Sequence, residues 1–121
     1  MNIKRFKKTE RIKKKYDIKK LFKTGEKVGV SGAKFFFARN KQNFNRIAFI
    51  FSHNFGSAVK RNRSKRFCRE IFQILKTYLY EGFDIIFFVY PVENDSFLAR
   101  YKQFEKLCKK AGLLKEQKNF F

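Results

Sequence analysis

The strongest chemical signal in the chain is a run of cations between positions 61 and 69: Arg61, Asn62, Arg63, Lys65, Arg66 and Arg69. Guanidinium forks match phosphate oxygens, an Asn amide adds a further hydrogen-bonding group, and the free N–H groups at a helix start favour anions. The run follows Gly56-Ser57, a loop and N-cap signal, and precedes a stretch without Pro or Gly that reaches Glu81. That length allows a helix of about six turns. At about 100° per residue, Asn62, Lys65, Arg66, Arg69, Gln73 and Lys76 gather on one side. Phe67, Ile71, Ile74, Leu75 and Tyr78 gather on the other, with Cys68, Phe72 and Leu79 on their flank, and Arg61 and Arg63 project to either flank of the basic ridge. Cations in the first turns oppose the helix dipole and repel one another, at roughly a few tenths of a kcal/mol each. A helix selected only for stability would carry Asp or Glu there. The placement therefore suits phosphate binding better than a merely solvated basic face.

Other chemistries lack their residues. Acid–base cleavage of RNA needs two positioned groups, commonly two histidines, and the chain has His53 alone. A two-metal nuclease needs converging carboxylates, and the acidic residues are scattered along the sequence. No Gly-x-x-x-x-Gly-Lys loop, His-Glu-x-x-His or Cys-x-x-Cys pair occurs, and Cys68 and Cys108 have no metal-like spacing. The polypeptide is expected to carry neither a catalytic group nor a metal site. Its formal net charge of +20 calls for a polyanionic partner, while 44% hydrophobic residues argue for a folded domain rather than a basic tail. The longest apolar run, Ile85 to Val92, is far short of a membrane span, and no apolar signal core follows the basic N-terminus. The expectation is a soluble cytoplasmic protein that does not enter a membrane.

These residues need elements to hold them. Residues 1–121 read as one domain with a basic arm over 1–14 and a basic, frayed tail over 115–121. The arm is expected to be irregular and too charged to pack. Tyr16 to Lys23 reads as a short helix stopped by Gly25. Val28 to Val30 and Ala33 to Arg39 read as strands around a Ser31-Gly32 turn. Arg46 to Ser52 is a third strand, and Phe83 to Tyr90 a fourth, closed by Pro91, central and parallel to the third. Asn94 or Asp95 can cap a last helix that ends at Gly112. The order is helix, three strands, helix, strand, helix.

Gly-x-Ala-Val-x-Arg-Asn-Arg-x-Lys-Arg-x-x-Arg, read on Gly56, Ala58, Val59, Arg61, Asn62, Arg63, Lys65, Arg66 and Arg69, resembles the signature of the bacterial ribonuclease P protein family. The element order over residues 10 to 112 is similar to that family as well. The resemblance implies an α+β two-layer sandwich like the second domain of ribosomal protein S5. It implies a non-catalytic subunit that assists RNA-catalysed removal of the 5′ leader from precursor tRNA. Mg²⁺ would sit on the RNA subunit and substrate, and the partners would be ribonuclease P RNA, one to one, and precursor tRNA. The signature residues would contact RNA. The leader would lie in a cleft between the sheet and the first helix, at positions matching Ile18, Phe22, Phe36 (or a neighbour in an adjacent register), Phe51 and Ser52. For Phe22, Phe36 and Phe51 the alternative is ordinary core packing. Three positions depart from the family pattern: Ile18 replaces a usual Phe, His53-Asn54 stand where Ser-Lys-Lys is frequent, and Tyr90 stands where Arg is common. The implied cleft is less basic and more aromatic. A ribosomal-type or general RNA-binding module of the same fold is the rival reading, and a binder of anionic membranes a third.

Overall fold

The computed structural model describes residues 6–115. Within them run α1 (Lys15–Thr24), β1 (Glu26–Val30), β2 (Ala33–Arg39), β3 (Arg46–Phe51), α2 (Ala58–Leu75), β4 (Phe83–Val89) and α3 (Phe97–Ala111). The strands form a sheet in the order β1-β2-β4-β3, with β4 antiparallel to β2 and parallel to β3. The central strand is a continuous apolar run because both its faces pack against core, one fully and one in part. Ile85, Phe87 and Val89 join the larger core under α2 and α3, and Ile86 and Phe88 join a smaller one under α1. The result is the expected α+β fold, with the central parallel strand where its composition placed it.

The β1–β2 turn requires its glycine. Gly32 has φ +87°, and a Cβ there would lie 2.5 Å from Gln103 Nε2 and 2.6 Å from Val92 Cγ1. Arg100 closes the same corner. Its side chain is wholly buried, and its guanidinium donates to Asp95 at 2.9 and 3.2 Å, to Gln103 Oε1 at 2.9 Å, to the Tyr90 carbonyl at 2.9 Å and to the Gly32 carbonyl at 3.3 Å. A buried charge is tolerable only with such complete pairing. On the same side of the molecule, Lys110 donates to the Gly29 carbonyl of β1 and Gln103 Nε2 to the Ser31 carbonyl.

Four sequence expectations need correction. The described part of the arm packs: Phe6 stacks against Phe49 and Phe72 at 5.7 and 5.6 Å, and Ile12 is buried. Arg11 bridges to Ile47 of β3, and Ile12 N donates to the Ile47 carbonyl at 3.1 Å. Two apolar residues and one acid, Glu10, outweigh the arm's cations, because Glu10 meets Lys76 Nζ at 3.0 and 3.2 Å. Second, the long helix stops at Leu75 and gives way to a 3-10 turn over Lys76–Tyr78. Third, its buried side is Ser64, Cys68, Ile71, Phe72 and Leu75 rather than a stripe through Ile74, which is exposed. The packed arc is rotated because α3 lies on the Cys68 side, leaving Phe67 at its margin against Phe97. Fourth, Ser96, not Asn94 or Asp95, caps α3, accepting from Ala99 N at 3.1 Å, because Asp95 is committed to Arg100. Gly112 ends that helix in the left-handed region, as expected. Of the expected tail, all beyond Lys115 lies outside the described residues.

Candidate nucleic-acid interface

Ser57 begins α2, its hydroxyl accepting from Lys60 N at 3.3 Å. No acidic residue stands in the first turn. Asn62, Arg63, Arg66 and Arg69 are exposed and lie opposite the buried arc, while Arg61 and Lys65 are half-buried on its flank. Arg61 is partly committed, donating to the His53 carbonyl at 2.9 Å, and so ties the helix start to the loop after β3. Arg63 leans over the Phe67 ring at 5.4 Å. Of the sequence-read ridge, Lys76 turns away to Glu10 and Gln73 is half-buried. What remains is a compact cationic surface with free donors and little local compensation, suited to phosphate oxygens.

The second surface is the sheet face that α1 only partly covers. Strand alternation places Lys27, Phe36, Ile86 and Ala48 in one row, and Gly29, Lys34, Phe88 and Ile50 in the next. From α1, Ile18, Leu21 and Phe22 pack onto this face. Phe22 meets Phe36 edge-on at 4.8 Å and Phe88 at 5.9 Å, and Phe88 meets Tyr90 at 5.0 Å. Lysines stand beside these rings, with Lys27 Nζ at 5.8 Å from the Phe36 centroid and Lys34 Nζ at 5.6 Å from that of Tyr90. Aromatic faces beside mobile cations are the elements by which proteins hold single strands.

The structure brings Ile18, Phe22 and Phe36 together. It does not bring Phe51 to them: Ile47, Phe49 and Phe51 alternate toward the α2 and α3 side, where Phe51 packs against Phe55 at 4.8 Å. Ser52 is buried at the end of β3, its hydroxyl donating to Asn54 Oδ1 at 2.8 Å. The sequence reading missed Phe88, Lys27 and Lys34, and noted Tyr90 only as a departure. The signal existed in the turn at Gly32: counting outward along the hairpin pairs Lys27 with Phe36, and period-two alternation puts Lys34 and Phe36 on one face.

At the far end of this face Arg46 and Asp84 form a two-point pair, Nη2–Oδ2 at 2.6 Å and Nε–Oδ1 at 2.9 Å. Asn40 also donates to Asp84, at 3.0 Å, and Asp17 approaches Arg46 at 3.8 Å. The hydrogen bond to Asp84 raises the Arg46 pKa, outweighing the opposing effect of burial. The two cysteines are buried free thiols; desolvation pushes Cys68 up to about 12 and Cys108 higher still. Among the described residues no three His, Cys, Asp or Glu stand together as a metal site, and no helix is long and apolar enough to cross a membrane.

The sequence model of the family described as Ribonuclease P matches residues 6–112. The ribonuclease P protein component of Petrotoga mobilis is 38% identical over 82 residues, covering 68% of this chain and 70% of that protein. That of Dictyoglomus thermophilum is 33% identical over 115 residues, covering 93% and 96%. Among solved structures, the RNase P protein from Staphylococcus aureus superposes with TM-score 0.79 at 28% identity, covering 94% of this chain and 98% of the other. The protein from Thermotoga maritima does so with TM-score 0.74 at 27% identity, covering 84% and 96%.

Proposed function

The chain belongs to the ribonuclease P protein family, and on that premise we propose how its two surfaces divide the work of 5′-leader removal from precursor tRNA. The RNA subunit, with Mg²⁺ bound to it and to the substrate, carries out hydrolysis of the phosphodiester. The protein contributes no catalytic group. It binds ribonuclease P RNA one to one through Arg61, Asn62, Arg63, Lys65, Arg66 and Arg69, and its net charge of +20 screens the repulsion between two large polyanions. The 5′ leader lies across the sheet on Phe22 and Phe36, bordered by Ile18, with Lys27 following the backbone. Residues 1–121 act as one domain in the cytoplasm, the arm and tail adding cations.

The observation that carries this reading is the half-buried aromatic floor beside α1, flanked by lysines. A closed core would not need cations at its rim, and a general phosphate binder would not need the rings. The test is cleavage of precursor tRNA at low Mg²⁺ with ribonuclease P RNA alone, the protein alone, and both. Cleavage at the mature 5′ end only with both supports the reading. Cleavage by the protein alone, or no stimulation by a folded, RNA-binding protein, overturns it.

A further inference from the structure

Two further rings stand on the open face: Phe88, which meets both Phe22 and Phe36, and Tyr90 beyond it. They stand 5.0 Å apart, tilted by 58°, with Phe88 in the row of Lys34 and Tyr90 just past the end of β4. Both are half-buried although the opposite side of the same strand is sealed. On β1 the neighbour of Lys34 is Gly29, which has no side chain to close the row. The Tyr90 backbone is held at both polar groups: its N–H donates to the Gly32 carbonyl at 3.0 Å and its carbonyl accepts from buried Arg100 at 2.9 Å. A fixed backbone under a half-open ring makes a rigid platform, which loses little freedom when something stacks on it. Lys34 Nζ, at 5.6 Å, is at the loose end of the cation–π range and is free to swing onto a phosphate. The place also adjoins the basic helix, since Ser52 N donates to the Val89 carbonyl and Arg61 to the His53 carbonyl.

We infer that Tyr90, backed by Phe88 and accompanied by Lys34, is a separate stacking site for one unpaired nucleotide: the ring takes the base and the ammonium its phosphate. The inference rests on the leader-in-cleft reading and extends it by one position. It makes Tyr90 a determinant of how much leader the protein recognises. Stacking requires the ring and not the hydroxyl, so Tyr90→Phe is the conservative variant and Tyr90→Leu the disabling one.

The experiment uses the holoenzyme assembled from the full chain and ribonuclease P RNA, with precursor tRNAs whose leaders lengthen by one nucleotide at a time. The wild type should gain affinity in one step when the leader reaches Tyr90. Tyr90→Leu should lose that step, about five-fold or more, corresponding to ~1 kcal/mol of base stacking, and match the wild type on shorter leaders. Tyr90→Phe should retain it. Lys34→Gln, at an exposed position that does not threaten folding, should flatten the salt dependence of long-leader binding by about 0.7 in slope. Equal affinities for wild type and Tyr90→Leu across the series overturn the site, and so does equal loss in Tyr90→Phe and Tyr90→Leu. Phe36→Leu separates the two ideas. If it weakens leader binding while Tyr90→Leu does not, the cleft stands and this site falls. If neither has an effect, the cleft reading falls with it.

Discussion

Replacing Arg63, Arg66 and Arg69 together by glutamine tests the cationic ridge at its most exposed residues. Arg61 is left in place because its bond to the His53 carbonyl helps seat the helix. The three chosen side chains are exposed on α2, and none forms an ion pair in the described structure. Each phosphate contact contributes roughly 0.7 to 0.9 to the slope of log affinity against log salt. Raising salt from about 50 to about 200 mM therefore weakens binding ~2.6- to 3.5-fold per contact. Three lost contacts should make the variant about 20- to 40-fold less sensitive to salt over that range than the wild type. The assay is a titration of ribonuclease P RNA at fixed low Mg²⁺ and several salt concentrations, with both proteins side by side. Folding stability should stay level or rise by a few tenths of a kcal/mol, roughly, because like charges at helical spacing are relieved. Parallel salt lines, with the variant folded, would refute the assignment of these arginines to phosphate contact.

Two further outcomes follow from the interior. The Cys68 pKa rises from 9.0 to about 12 on folding and that of Cys108 rises further, both through desolvation. Both groups are neutral acids when folded, so their stability contribution is complete below pH 9 and is lost as pH rises, while the unfolded thiols ionise and the folded ones do not. The two together should cost about 3 kcal/mol between pH 8 and pH 10, and a Cys68→Ala/Cys108→Ala variant should show a correspondingly flatter denaturation profile. An unaltered profile would disprove the linkage. Glu10→Gln should destabilise the protein by about 1–3 kcal/mol by removing the charge that mostly buried Lys76 Nζ meets at 3.0 and 3.2 Å. Amide exchange at Ile12, which donates to the Ile47 carbonyl, should quicken more than exchange in β4. Equal exchange would show that the ion pair does not seat the arm.

The order of elements and the central parallel strand were readable because β4 is apolar at every position but Asp84 and β2 is bounded by Gly32. The exposed placement of Arg63, Arg66 and Arg69 was readable because helical spacing sets them away from Cys68, Ile71 and Leu75. What could not be read depends on side chains from distant segments meeting. Nothing local to Glu10 announces Lys76, and nothing near Asp95 announces that Arg100 would claim it and leave the cap to Ser96. The face of Phe51 was misassigned for a related reason. A strand apolar on both sides gives no alternation from which to choose, and only its register with β4 decides. Phe88 was hidden in the same way, among apolar neighbours that look alike in sequence.

The small contacts that Arg11, Lys110 and Gln103 make to backbone have a consequence for colloidal behaviour. A sheet's outermost strands present unpaired amides and carbonyls that can template addition of another chain, and phenylalanine-rich strands are especially prone to it. Here Arg11 and Ile12 already occupy part of the β3 rim, while Lys110 and Gln103 engage carbonyls of β1 and its turn. Two of these four residues, Arg11 and Lys110, are cationic, so part of what satisfies the rims also repels an incoming copy of a chain with net charge +20. The protein can thus leave one aromatic face open without that openness extending to edge-to-edge growth into fibrils.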